Sequence, residues 1–323
     1  MKPDRSKDLT VDAWGVAVIA LLALIPALTS SPFALSLTHQ IVIGIVAALA
    51  VYIMLRMDLM AFTIPAFMAI GGYTGALLAT AGVTDLLVLV PAAFIVPVLI
   101  SIPLGAVVLR LKGTYFVFIT FITNEILQLV IFETPDFTGG SNGIAGVPPA
   151  TLFGADLGTP RSLVWVTLAV GIVSALITLA VTHRFRPEFS SIEENETLAE
   201  SLGVPVWWYR TVGFMACSGV SGLAGFALVN MLSTAHPSSF ASFSAVNYIA
   251  YAFIGGRGTM LGPVVGAAFL VSLSNIFSGQ GQFAAALFGA LLIASVMVAP
   301  DGFVGLVRRM IRASRKRAKG NHA

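Results

Sequence analysis

The sequence predicts an all-α integral membrane protein, a polytopic helical bundle of about 8–10 transmembrane helices. Of its 323 residues, 57% are hydrophobic and only 10% are charged, whereas soluble domains contain about 25% charged residues. The apolar residues also fall in runs close to the roughly 20 residues that a helix needs to cross a bilayer. The 31 glycines and 16 prolines fit transmembrane helices that pack closely and are broken in places.

Windows of that length divide the chain into a series of apolar segments, at 12–29, 41–55, 60–80, 86–109, 115–132, 162–183, 211–232, 246–256, 261–276 and 283–299. The segment 246–256 is short for a full span. The chain therefore crosses ten times if this segment spans, and eight or nine times if some segments are re-entrant. We assign residues 12–299 to the transmembrane domain, preceded by residues 1–11 and followed by a basic tail at 300–323.

Lysine and arginine set the predicted orientation, because they concentrate on the cytoplasmic side of membrane proteins. The first seven residues and the last sixteen are both basic, so both termini are expected in the cytoplasm. Ten crossings satisfy this and leave every lysine and arginine except Arg161 on the cytoplasmic side. Residues 133–161 then form an outer loop, and residues 184–210 form a cytoplasmic loop.

The cytoplasmic loop carries the signals of one short amphipathic helix. Ser190 and Ser191 suit the start of a helix with acids in its first turn. Leu198, Leu202 and Val206 repeat every four residues and predict one apolar stripe. Gly203 and the proline that follows it are typical of a helix end. Such a helix docks against a partner protein or, alternatively, lies as a connector on the lipid head groups.

Three ordered stretches resemble the LivM-type permease subunit of branched-chain amino acid ABC importers. They are "LKGTYFVFITFITNEILQLVIFETPDFTGGSNGIAGVP" (111–148), "ENETLAESLGV" (194–204) and "FIGGRGTMLGPVVGAAFL" (253–270). The resemblance covers about residues 40–300. It implies the ABC importer permease fold in the bacterial inner membrane, in contact with lipid. It also implies a second, LivH-like permease subunit, two ABC ATPase subunits and a periplasmic substrate-binding protein as partners.

The resemblance gives the cytoplasmic loop a role. In ABC importers a permease loop carries a glutamate-alanine-alanine motif followed by glycine, and its short coupling helix sits in a groove of the ATPase. Gly203 matches the motif glycine, and of the three residues 197–199 only Ala199 matches strictly. The implied ATPase-coupling residues are Glu194, Asn195, Glu196, Leu198, Ala199, Glu200, Leu202 and Gly203.

Several function classes are excluded or disfavoured by the sequence. The chain has no G-x-x-x-x-G-K-[ST] phosphate loop, so ATP and Mg²⁺ are expected on the partner ATPases and the chain is not an enzyme on its own. The lone Cys217 and the four scattered histidines have no metal-ligand spacing. Its basic residues lie at the ends of the spans, which disfavours nucleic-acid binding.

The substrate is the weakest part of the resemblance. Where the family shows a Ser-Leu-Gly-His sequence before the third span, this chain has "MAFTIPAF" (60–67). Branched-chain or related hydrophobic amino acids are therefore expected, with urea, short amides, aromatic acids or sugars as alternatives. A competing class is a secondary transporter driven by an ion gradient, with Glu125 and Asn124 as its ion ligands.

Glu125 is the only acid deep inside a predicted span, where a charge must be neutral, paired or in contact with water. We interpret its helix as a polar lining of the translocation path; an interhelical hydrogen-bond clamp is the alternative. The path candidates are Tyr115, Thr120, Asn124, Glu125 and Gln128.

Two glycine-rich segments flank the spans. The outer loop segment contains Thr138, Gly139, Gly140, Ser141, Asn142 and Gly143. It contacts the substrate-binding protein, lines the outer mouth, or only closes the loop. The segment Gly255, Gly256, Arg257 and Gly258 is typical of a broken helix near a binding pathway, or alternatively of close packing between small residues.

Overall fold

The computed structural model describes residues 5–29, 31–277 and Gly289. Helices dominate these residues: α1 Arg5–Leu22, α2 Leu24–Leu28, α3 Pro32–Leu55, α4 Ile64–Thr80, α5 Leu86–Val108, α6 Thr114–Phe132, α7 Pro135–Thr138, α8 Pro160–Arg184, α9 Arg186–Glu194, α10 Glu196–Ser201, α11 Val206–Leu232, α12 Ser244–Gly255 and α13 Leu261–Phe277. Apart from Gly289, the predicted span 283–299 and the basic tail lie outside the described residues.

Four two-residue strands accompany the helices: β1 Ile144–Ala145, β2 Thr151–Leu152, β3 Ala155–Asp156 and β4 Thr234–Ala235. β1 pairs antiparallel with β4, and β2 pairs antiparallel with β3. The first pair ties the connection after α6 to the connection after α11. An isolated bridge between Asp85 and Thr151 ties the second pair to the start of α5.

The bundle has two ends that differ in chemistry. The polar-loop face carries residues 184–210, and the ends of α3 and α8 and the starts of α6 and α11 meet there. The outer-loop face carries residues 133–159, next to the end of α4 and the start of α5. The long helices run from one face to the other. This is the all-α polytopic architecture that the composition predicts.

Five described helices, α3, α5, α6, α8 and α11, are long and apolar enough to span a membrane. Shorter apolar helices lie at Trp14–Leu28, Ile64–Thr80 and Leu261–Phe277. The predicted span at 41–55 was too short, because α3 already begins at Pro32. Hydropathy missed the first turns since they contain polar side chains such as His39. That side chain is buried, and its Nδ1 lies 2.9 Å from the Thr167 hydroxyl of α8.

The core is built around α3 and α11, whose side chains are mostly buried in the bundle. Glycines let the backbones of α11 and α4 contact each other directly. A Cβ at Gly225 would collide with the Met68 carbonyl, and one at Gly71 with the Gly222 backbone. Inside a bilayer the association of helices excludes no water, so helices associate through such close contacts of small residues. The helices α5 and α6 are largely exposed, which leaves their apolar surfaces for lipid or a partner subunit.

The chain reaches α12 through an irregular segment, residues 233–243. This segment enters the bundle from the outer-loop face, since Phe240 contacts the Tyr73 ring in the middle of α4. The helix α12 has only 12 residues, about 18 Å at 1.5 Å per residue, so it covers only part of a bilayer. The α-helical structure is thus interrupted both before α12, at 233–243, and after it, at 256–260.

The glycines at 255–258 instead join α12 to α13 in a tight antiparallel hairpin. A Cβ at Gly255 would collide with the Gly262 carbonyl, and one at Gly266 with the Tyr251 carbonyl. Gly256 has a φ of 111°, which favours glycine. The Arg257 guanidinium lies over the Phe253 ring at 5.0 Å from its centroid. The geometry therefore agrees with close packing of small residues.

Candidate functional site: a polar loop and an outer cleft

The polar loop folds as two short helices, α9 and α10. The expectation of one continuous helix was wrong, because Asn195 is extended, with a φ of −162°. Its side-chain oxygen accepts a hydrogen bond from the Leu198 amide at 3.0 Å and so caps α10. Ser190 and Ser191 lie inside α9, which begins at Arg186, and do not cap it. Gly203, with a φ of 85°, follows the end of α10 as predicted.

Glu196 anchors α10 to the bundle. The Arg210 guanidinium, from the first turns of α11, donates to both of its carboxylate oxygens at 2.8 and 2.9 Å. The Lys112 ammonium, just before α6, lies 2.9 Å from the same carboxylate. Arg210 is only 5% exposed, so this is a buried, bidentate ion pair. Glu196 therefore points towards the bundle.

A second ion pair and an apolar contact hold α9. The Arg56 guanidinium, at the end of α3, donates to the Glu193 carboxylate at 2.9 Å. Phe189 and Ile192 are buried beneath the helix. Burial raises the pKa of the Glu193 carboxyl, and the Arg56 charge opposes that shift. Sequence reasoning missed Arg56, Lys112 and Arg210 as partners; their positions at span ends facing an acidic loop were the available signal.

Two leucines are exposed on the outward side of α10 and at its end. Leu198 and Leu202, four residues apart, are 57% and 75% exposed, while Ala199 between them is buried against the bundle. Glu194 and Glu200 are exposed beside them. Val206 does not extend the stripe as expected, because it is buried at the start of α11. We call Leu198 and Leu202 the loop leucine pair; it is exposed, and Glu196 ties its helix to the bundle.

The polar-loop face holds a further cluster that the sequence did not suggest. The Asp12 carboxylate in α1 lies 3.0 Å from His183 Nε2 at the end of α8. Its other oxygen accepts a hydrogen bond from the Met260 amide at 2.8 Å, just before α13. One carboxylate therefore joins the first helix, the end of α8 and the α12–α13 connection.

The polar strip predicted on α6 is divided between two sides of that helix. Thr120 and Asn124 are fully buried. Thr120 donates to the Val117 carbonyl and accepts from the Phe62 amide, and Asn124 donates to the Ser242 hydroxyl at 2.5 Å. These contacts favour the clamp for both residues. Tyr115 is 76% exposed at the other end of α6.

Glu125 and Gln128 lie on a different side, in an open cleft of about 360 Å³. The other walls come from the end of α6, from the turn after α7 and from the segment 236–241. Gln128 donates a hydrogen bond to the Phe240 carbonyl, so its amide holds the segment in place. The cleft opens near the outer-loop face, because Ser141 and His236 are part of its lining.

The predicted outer-loop residues form a compact turn next to this cleft. The Thr138 hydroxyl is buried and lies within hydrogen-bond distance of the Ile131 and Thr134 carbonyls, at 2.5 and 2.8 Å. The segment 140–142, including Asn142, is a 3-10 turn. Gly139, Gly140 and Gly143 have φ values of 74°, 56° and 66°, a backbone that favours glycine.

Comparison with known proteins decides the family. Residues 33–299 match the sequence family described as "Branched-chain amino acid transport system / permease component". The chain belongs to this family. Members of this family are permease components of transport systems, and the resemblance noted in the sequence is confirmed.

Two curated relatives support the assignment over most of the chain. The LivM permease proteins of the high-affinity branched-chain amino acid transport systems of Salmonella typhimurium and Escherichia coli are each 25% identical over 281 residues, covering 80% of this chain and 66% of theirs. The chain thus spans just under two thirds of their length. The xylose/arabinose import permease protein XylH of Sulfolobus acidocaldarius is 28% identical over 113 residues, 32% of each chain. No solved structure matches.

Proposed function

We propose that the chain is a permease subunit of an ATP-driven importer for branched-chain or related hydrophobic amino acids. It forms part of the translocation path and couples to separate ATPase subunits through residues 184–210. ATP and Mg²⁺ bind to those partners. The protein lies in the bacterial inner membrane with both termini in the cytoplasm, which places the polar-loop face inside the cell.

The observation that carries this proposal is the loop leucine pair on its anchored helix. Covering this exposed apolar pair with a partner groove would be favourable, because it removes apolar surface from water. The α10 helix that presents it is held by the buried Arg210–Glu196 pair and by Lys112. A connector lying on lipid would need no such anchoring. Docking to a partner groove explains both the exposure and the anchors.

The anchors also supply a route for coupling. A force on α10 reaches α11 through Arg210 and the start of α6 through Lys112, while a force on α9 reaches α3 through Arg56. Closure of two ATPases around ATP would move the paired loops and so favour one orientation of these helices over the other. ATP shifts the equilibrium because it binds one state more tightly.

We infer the substrate and the remaining partners from the family to which the chain belongs. A second permease subunit completes the path, and a periplasmic protein delivers the substrate to the outer-loop face. Amino acids are favoured because the family description and both LivM relatives name branched-chain amino acid transport. The shorter XylH similarity makes sugars the alternative to test, by comparing uptake of leucine and of xylose.

The test measures whether an ATPase co-purifies with this permease from native cells. The main variant places a single charge at Leu202. Leu202→Asp buries a charge in the proposed contact, so we expect it to release the ATPase and abolish ATP-driven leucine uptake. Ser190→Asp is the matched control, since Ser190 is exposed on α9 outside the leucine pair. Gly203→Trp provides a bulky block at the end of α10.

Retention of a P-loop ATPase by wild type and Ser190→Asp, and its loss in Leu202→Asp, would support the proposal. Equal ATPase recovery in all the variants would show that the loop does not form the contact with the ATPase. Leucine uptake that follows an ion gradient, with no ATPase recovered from wild type, would replace the importer by a secondary transporter.

A further inference from the structure

The cleft beside α6 has the size of a site for a small molecule. Its volume of about 360 Å³ lies within the range of ligand pockets, roughly 300–1,000 Å³. One wall is the side of α6 that carries Leu129 and Phe132 beside Glu125 and Gln128, and another is the segment that begins at His236. An amphipathic solute of amino-acid size fits such a pair of walls.

Glu125 is placed in this cleft on the exposed side of a membrane-spanning helix. It lies seven residues before the end of α6 at Phe132, about 10 Å along the helix axis. An ionised carboxylate at that depth is costly against lipid, so a ligand site here requires this side of α6 to face water or a polar ligand. Unlike Asn124, whose amide is bonded to Ser242, the Glu125 carboxylate lies where a solute in the cleft can reach it.

The hydrogen bonds of His236 define what its ring offers. The Ser238 amide donates to Nδ1 at 3.2 Å, and the Ser238 hydroxyl lies 2.7 Å from the same nitrogen. Because Nδ1 is the acceptor, a neutral ring carries its proton on Nε2. The cleft is therefore lined by a carboxyl group, Glu125, and by an imidazole whose Nε2 carries the proton, His236.

We propose that this cleft binds the head group of the amino acid on its way through the permease. The inference rests on the proposed function and adds the residues that receive the substrate. Glu125 accepts from the α-ammonium group, the His236 ring donates to the α-carboxylate, and Leu129 and Phe132 contact the hydrophobic side chain. A carboxylate has only acceptors, so neutral urea or a sugar would gain no charge pair there.

The first test uses the complete importer in proteoliposomes, with both permeases, the ATPases and the binding protein. Glu125→Gln removes the charge and keeps the shape, and we expect leucine uptake to fall about tenfold or more, as for loss of a charged hydrogen bond. ATPase stimulation by the binding protein should be retained. Glu125→Asp should recover part of the uptake, and Glu133→Gln, an exposed acid at the end of the same helix, should match wild type.

The second test separates ligand contact from a merely structural role. In the same importer, Glu125→Cys should react with a membrane-impermeant thiol reagent added from outside, and leucine with its binding protein should slow that reaction. Ile126→Cys is the matched control one residue along, exposed but not part of the cleft lining. We expect its labelling to be insensitive to leucine. The native Cys217 is buried.

Wild-type leucine uptake by Glu125→Gln, or labelling of Glu125→Cys that leucine does not slow, would overturn the inference and leave the importer intact. Failure of the wild-type complex to hydrolyse ATP or to take up leucine would instead overturn the proposed function. The two failures are therefore distinguishable within one set of preparations.

Discussion

Ion pairs hold the polar-loop face to the bundle, whereas glycines and backbone hydrogen bonds hold the outer-loop face. On the first face, Glu193 and Glu196 join α9 and α10 to three long helices. On the second face, β1 pairs with β4, and the Thr151 amide donates to the Thr84 carbonyl at 2.8 Å. Even the arginine of that face, Arg161, donates to the backbone carbonyls of Pro26 and Ala27.

The two kinds of contact respond differently to displacement. The attraction between charges falls slowly with distance, so an ion pair persists when α10 shifts slightly with a partner. A glycine contact depends on two backbones that leave no room for a methyl group, and it has a single geometry. The polar-loop face is therefore suited to transmit movement, and the outer-loop face to keep a fixed shape around the cleft.

The largest effect is expected for Gly143→Ala on the outer-loop face. Its φ of 66° strains an alanine, and the new Cβ would collide with the Ala235 carbonyl in the paired strand. Together these effects should lower the free energy of unfolding by about 4 kcal/mol. The measurement is denaturant unfolding in detergent micelles. Gly146→Ala is the control, because Gly146 has a similar φ of 67° but a Cβ there would have no atom within 4 Å. We expect this variant to lower the free energy of unfolding by only about 1–2 kcal/mol. Equal losses in the two variants would refute the steric argument.

A smaller but specific effect is expected for Arg210→Met on the polar-loop face. Removing one partner of a buried ion pair lowers the free energy of unfolding by about 3 kcal/mol. Because Lys112 still lies 2.9 Å from Glu196, we expect a loss somewhat below that value for Arg210→Met. Lys112→Met should cost less than about 1 kcal/mol, because its side chain is 57% exposed. The same unfolding assay compares the two variants. Equal losses would mean that burial of the Arg210–Glu196 pair does not matter.

The smallest effect is a pH dependence that arises from Glu193. Burial raises the pKa of this carboxyl above its ordinary value, so the folded protein binds the proton more tightly than the unfolded chain. The resulting stability is present below the unfolded pKa and is lost as the pH rises through the folded pKa. Glu193→Gln should flatten the stability profile in that window. If the stability of the wild type instead rose with pH in that window relative to Glu193→Gln, the raised pKa of Glu193 would be contradicted.

Much of the fold was predictable from local sequence properties. The apolar runs gave the spans from α4 to α11 to within a few residues, because helix length in a bilayer is set by its thickness. Gly203 marked the end of α10, because a residue with positive φ after a helix is most often glycine. The three family stretches were sufficient to identify the permease family, because their order and length are specific to it.

The errors at α3 and α6 share one physical cause, which is that hydropathy does not tell an inward polar group from an outward one. It shortened α3, because the polar residues around His39 are buried and bonded inside the bundle. It also grouped Thr120, Asn124 and Glu125, which the structure divides between a clamp and a cleft.

The sequence by itself determined that the chain is a helical membrane protein of a known permease family, with an acidic loop between two spans. Those properties follow from composition, run length and ordered motifs, which are local. Only the tertiary structure decided that Glu196 points inward to Arg210, that Leu198 and Leu202 point outward, and that Glu125 and His236 share one cleft. These depend on which helices pack together, and packing brings together residues distant in the sequence.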